Sequence, residues 1–156
     1  MIRTVIGADP GETTGLARLD LDGFREPQLI QVADATQVLA ALDDLLGAQA
    51  PDEVLFAIEQ FVVGRRAGRS STPKAGRTTR DLIGALQLWA LERGIRVVLR
   101  SASEVKPWCS DTRLHAAGLY VKGAPHSRDA ARHALFAAVH NCRYPDPLSA
   151  RSRSPR

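Results

Sequence analysis

Ile2, Val5, Ile6 and Ala8 form a short, nearly continuous apolar segment that stops at Asp9, Pro10 and Gly11. A run of this kind, broken at once by a Pro-Gly turn, predicts a strand buried on both faces. Residues 14–21 alternate loosely, with Leu16, Leu19 and Leu21 apolar among Gly15, Arg18 and Asp20, and predict a second strand turning back beside the first. A third short strand is expected at 28–33 (QLIQVA). Asp34, with Gln37 three residues on, then offers an N-cap to a helix carrying Val38, Leu39, Leu42, Leu45 and Leu46 at helical spacing. Gly47 ends that helix and Pro51 prevents its resumption.

The opening pattern then repeats. Residues 54–59 (VLFAIE) are five apolar positions followed at once by Glu59. The segment 64–80 (GRRAGRSSTPKAGRTTR) carries Arg65, Arg66, Arg69, Lys74, Arg77 and Arg80 with no acidic residue, in a Gly, Ser and Thr background, and reads as a mobile basic loop. Thr78 and Asp81 fit a capping box for a helix through Leu82, Ala85, Leu86, Trp89 and Ala90 to Gly94, with Trp89 in the core. Residues 96–99 (RVVL) give a fifth strand, and strand, helix, strand in that order implies a right-handed crossover with parallel neighbours. Ser101 and Glu104 fit another capping box, opening a short helix stopped at Pro107. Residues 111–119 predict a further short helix closed by Gly118, with His115 on its surface.

The last helix begins around His126 and runs HSRDAARHALFAAVHN. Ala130, Ala134, Ala137 and Ala138 give it a small-residue face able to lie close on a sheet, while His126, Asp129 and His133 share another face at i, i+3 and i+7. The whole predicts an α/β fold with a mixed five-stranded sheet, antiparallel through its first three strands and parallel beyond, and helices on both faces.

With 156 residues the chain is expected to be one domain over 1–142, followed by a basic disordered tail at 143–156 rich in Pro, Ser and Arg. Cys109 and Cys142 have no CxxC spacing, so neither a zinc site nor a disulfide framework is indicated. There is no apolar run near the roughly 20 residues that span a bilayer and no secretory pattern at the N-terminus, so a cytosolic protein is expected. The net charge of +4 and pI of about 9.6 permit a polyanionic partner.

A carboxylate at the end of a buried strand is costly unless something positive compensates it, and a metal ion is the usual compensation. Asp9 is therefore either a ligand or the cap of its Pro-Gly turn. If the strands that end in Asp9 and Glu59 pair in parallel, the two acids emerge at neighbouring strand ends. His126 and Asp129, one helical turn apart, form either a ligand pair or a surface and capping feature. Oxygen-rich ligands from separate elements suit Mg²⁺ or Mn²⁺, and two such ions suit phosphodiester hydrolysis. The basic segment is either a solvated loop or an arm that contacts phosphate.

The succession DPGETTG, a strand ending in Glu59, and HSRDAARHAL resembles the RuvC family of Holliday junction resolvases, within the ribonuclease H fold, and its shorter phage-type members most. The resemblance covers residues 1 to about 140. It implies that Asp9, Glu59 and Asp129 are catalytic, metal-binding carboxylates for two Mg²⁺ ions, with Mn²⁺ able to substitute. His126 stands at the fourth position, where other members carry Asp, as a ligand or a general acid. Lys106 matches the family's lysine after the fifth strand. Phe61, Arg65 and Arg66 are placed on DNA by neighbourhood, and Arg69 and Lys74 by the basic run. The resemblance further implies a four-way junction as substrate, a homodimer, no nucleotide cofactor and a bacterial or phage-infected cytosol. A nuclease on other branched DNA or RNA is the alternative. D-x-G-x-T-x-G also resembles the phosphate-binding hairpin of actin-like proteins, which pair two such domains and need a longer chain.

Overall fold

A computed structural model describes residues 1–23, 25–62 and 73–149. Five strands, β1 (Thr4–Asp9), β2 (Thr14–Asp20), β3 (Gln28–Val32), β4 (Val54–Gln60) and β5 (Arg96–Ser101), form one sheet in the order β3-β2-β1-β4-β5. The first three pair antiparallel, whereas β1 with β4 and β4 with β5 pair parallel. The mixed sheet expected from the hydrophobic pattern is thus the one observed.

Both faces are covered, and strand parity decides which residue serves which side. Ile6, Ala8, Leu16, Phe56 and Ile58 pack under α1 (Val38–Leu46) and α2 (Pro73–Glu92). Trp89 of α2 lies there edge-on to Phe56, in the core as its spacing predicts. Val5, Ala17, Leu19, Leu55 and Ala57 pack on the other face, under α3 (Ala102–Val105), α4 (Asp111–Ala116) and α5 (Pro125–Cys142). Asp9 and Glu59 continue the parity of Val5 and Ala57, so both carboxylates belong to the α5 side.

Close approach of α5 depends on missing side chains. Its alanines 130, 134, 137 and 138 are buried, and the strands meet them with glycines. A Cβ on Gly7 would overlap the carbonyl oxygen of Ala130, and one on Gly15 would overlap that of His126. The backbone therefore seats the start of α5 directly on the β1–β2 hairpin.

The hairpin is more deeply buried than its loose alternation suggests, because β2 is covered on both faces. Arg18 and Asp20 consequently lie inside. Arg18 Nε donates to Asp20 Oδ1 at 2.9 Å, Thr4 Oγ1 donates to the same oxygen at 2.7 Å, and Arg18 Nη1 donates to the carbonyls of Leu45 and Leu46. A paired, fully hydrogen-bonded ion pair is the form in which burial is tolerated, and here it also satisfies carbonyls at the C-terminal end of α1.

Several boundaries differ from expectation. The basic segment is not a loop through Arg80: α2 already begins at Pro73, favoured at a first helical position, and Thr78 lies inside the helix rather than capping it. The Ser101–Glu104 capping box does not form, since Glu104 pairs with Arg100 at 2.8 Å and Ser101 Oγ lies against Ser103 Oγ. The short helix α4 is capped instead by Ser110, and Gly118 closes it with φ of 70°. The segment expected to trail away from residue 143 is held as far as 149. Tyr144 packs on the α5-side core, and Asp146 pairs with Arg113 at 3.0 Å, which holds its carboxyl below the usual carboxylate range. Residues 150–156 lie outside those described.

Candidate metal centre and nucleic-acid interface

Parallel pairing of β1 with β4 runs to Ala8 opposite Ile58, so Asp9 and Glu59 follow side by side at the C-terminal ends of adjacent central strands. The first three turns of α5 cross those ends. His126 Nδ1 lies 3.0 Å from Asp9 Oδ2, and His133 Nε2 lies 3.0 Å from Glu59 Oε2. Asp129, between them on the helix, receives Lys106 Nζ on Oδ2 at 2.8 Å and Arg132 Nη1 on Oδ1 at 3.0 Å. Four residues expected to act together, Asp9, Glu59, His126 and Asp129, thus converge, and Lys106 joins them.

Electrostatics mark the cluster as short of positive charge. Burial pushes the Asp9 carboxyl up to about 6, helped by the negative charge of Glu59 and then that of Asp129, although the hydrogen bond and charge of His126 pull the other way. Lys106 responds in kind. Partial burial opposes its charge, but the hydrogen bond it donates to Asp129 and the negative charges of Asp129, Glu59 and Asp9 together hold the ammonium above its ordinary value.

The donor set fits a hard divalent cation. Three carboxylates and an imidazole suit Mg²⁺ or Mn²⁺, and a cation would relieve the Asp9 shift directly. In the structure His126 Nδ1 and Asp9 Oδ2, 3.0 Å apart, share a hydrogen bond. Among the described residues no three His, Cys, Asp or Glu side chains are already closed around one point. Lys106 and the two imidazoles brace the carboxylates instead.

Positions of the expected DNA contacts are more varied. Lys106 is turned into the acid cluster rather than outward. Phe61, half-buried, lies against Gly76 of α2 with the Arg80 guanidinium 6.0 Å from its ring centre. Lys74 falls in the first turn of α2. Arg65, Arg66 and Arg69 lie outside the described residues.

Three residues of this neighbourhood carried no assignment from sequence. Arg132 is legible afterwards as the i+3 partner of Asp129. His133 was visible on the same helical face, but its partner Glu59 is 74 positions away. Gln31, at the end of β3, had no local signal. Its Oε1 accepts from the backbone N–H of His126 at 2.9 Å and of Ser127 at 3.4 Å, replacing the side-chain cap that Ala124 cannot supply.

A mixed sheet of this order with helices on both faces is a ribonuclease H-like fold. More particularly, the fold is RuvC-like. The chain is similar to Thermus thermophilus RuvC, with 22% identity, a TM-score of 0.63, and 93% of this chain and 99% of that one covered. It is likewise similar to T. thermophilus RuvC solved in complex with Holliday junction substrate, with 20% identity, a TM-score of 0.65, and 90% and 95% coverage. No protein-family model matches the chain, and no curated protein does. No helix among the described residues is long and apolar enough to cross a membrane.

Proposed function

We propose that this protein is a divalent-metal-dependent endonuclease that resolves four-way DNA junctions. The observation that carries the reading is the meeting of Asp9, Glu59 and Asp129 with His126 at the strand ends of a RuvC-like fold. Asp9, Glu59, His126 and Asp129 would hold the ions, two for each site. Bound ions supply Lewis acidity and an activated water for phosphodiester hydrolysis. The carboxylates position and neutralise, so no nucleophilic side chain is required. His126 serves either as a neutral ligand nitrogen or as proton donor to the leaving oxygen. Lys106, which is paired with Asp129 here, would contact a phosphate if a cation neutralised that acid in its place. Phe61 and the basic residues Arg65, Arg66, Arg69 and Lys74 would contact DNA beside the site.

Two strands related by a two-fold axis call for two sites, so the proposal includes a homodimer. Leu88 and Leu91, exposed on α2, are among the exposed apolar side chains that an isologous contact could bury. Sedimentation as a monomer both free and junction-bound contradicts that part. The substrate is tested by Mg²⁺-dependent turnover of four-way junctions, flaps, linear duplex and RNA–DNA hybrids. Preference for the junction is expected, and equal or better cleavage of flaps or hybrids rejects the junction reading while leaving a nuclease.

A further inference from the structure

Among the buried residues of α5, His133 is the one large polar side chain in a row of alanines, Ser127 and Leu135. It is 1% exposed. A carboxylate can only accept, so Nε2–H donates to Glu59 Oε2 at 3.0 Å. The opposite nitrogen, Nδ1, is buried with no hydrogen-bond partner. An unsatisfied buried nitrogen weakens a fold, and an apolar side chain of similar volume would fill the same space without that cost. Packing therefore does not account for an imidazole here.

What the imidazole does achieve is the immobilisation of one carboxylate. Glu59 has three side-chain torsions and sits where its strand ends, so alone it would sample several rotamers. Resting on the reading of Glu59 as a metal ligand, we propose that His133 is a positioning residue that fixes the Glu59 carboxylate for the cation. The bond from Nε2–H to Oε2 holds the carboxylate in one orientation, in which it would bind the cation. Hydrogen bonds from outside the ligand set commonly decide metal affinity in this way. The orphaned Nδ1 is the accompanying loss of stability.

The test is calorimetric titration of the DNA-free, full-length protein with Mn²⁺, alongside thermal melting of the metal-free form. His133→Gln places an amide N–H near the position of Nε2 and should stay within about threefold of wild-type affinity. His133→Leu fills the space without a donor and should bind Mn²⁺ about 10–100-fold more weakly, while melting no lower than wild type. Should His133→Leu not fold, His133→Asn replaces it, being polar but one methylene too short to reach Glu59, with the same loss expected. Unchanged Mn²⁺ affinity in His133→Leu or His133→Asn overturns the inference, as does equal weakening in His133→Gln. Glu59→Gln is the control for the underlying reading. If it binds Mn²⁺ like wild type, Glu59 is not a ligand and the reading itself fails. If it loses the site while His133→Leu keeps it, only the positioning role fails.

Discussion

His126 Nδ1 stands 3.0 Å from Asp9 Oδ2 although 117 positions separate them in the chain. The contact exists because α5 starts on the hairpin at Gly15, under a cap supplied by Gln31, the register partner of Gly15 on β3. The chemistry of the site therefore depends on a backbone contact at Gly15, the register partner of Asp9 on β2.

Gly15→Ala should accordingly damage both fold and site. The added methyl has backbone as its neighbour, which cannot rotate away, so overpacking should cost about 1–3 kcal/mol. A urea unfolding midpoint that does not move rejects the close seating of α5. Gly84→Ala, where a Cβ meets nothing within contact distance and helix propensity favours Ala, should be neutral or stabilising.

The raised Asp9 carboxyl makes the metal-free protein respond to pH in a definite direction. Its folded value of about 6 exceeds 3.8, so the folded state binds a proton that the unfolded chain releases. This penalty is complete above about pH 6 and is relieved as pH falls towards 4. Metal-free wild type should therefore gain about 1 kcal/mol between pH 7 and pH 5 relative to Asp9→Asn. Urea melts in chelator at both pH values measure this double difference. A difference of zero, or of opposite sign, shows that Asp9 is not held up.

Arg65, Arg66 and Arg69 are expected to add affinity rather than chemistry, since arginines in a Gly- and Ser-rich run can neutralise phosphates without reading bases. Changing all three to Ala should weaken junction binding and flatten the plot of log affinity against log salt by about 0.9 for each phosphate no longer neutralised. A parallel line displaced downwards would argue against a phosphate-binding role.

Much of this arrangement was legible because two strands are so apolar that a terminal acid stands out. Asp9 and Glu59 are each marked by a break in a buried run, and their common face follows from counting parity along β1 and β4. The small-residue face of α5 was equally clear, as a stripe of alanine. The early start of α2 was not, because residues 73–80 have no apolar stripe. The capping box at Ser101 failed for a different reason: Arg100, the preceding residue of β5, pairs with Glu104. Gln31 and His133 act across the sheet on partners far away in sequence, so only the folded chain reveals what they touch.

The central claim is that Asp9, Glu59 and Asp129 act as anionic ligands rather than as a turn cap and helix-end acids. Paired measurement of four-way junction binding and Mg²⁺-dependent cleavage by Asp9→Asn, Glu59→Gln and Asp129→Asn tests it directly, with His126→Asp alongside. Each amide keeps shape while removing the charge that opposes the metal's, so cleavage should fall by orders of magnitude while binding survives. His126→Asp should retain Mg²⁺-dependent cleavage if His126 is a ligand, and should slow the chemical step at neutral pH if it is the general acid. Near-normal cleavage by Asp129→Asn together with His126→Ala would contradict the account, reducing the start of α5 to an acid favoured by the helix dipole beside a helix-opening histidine.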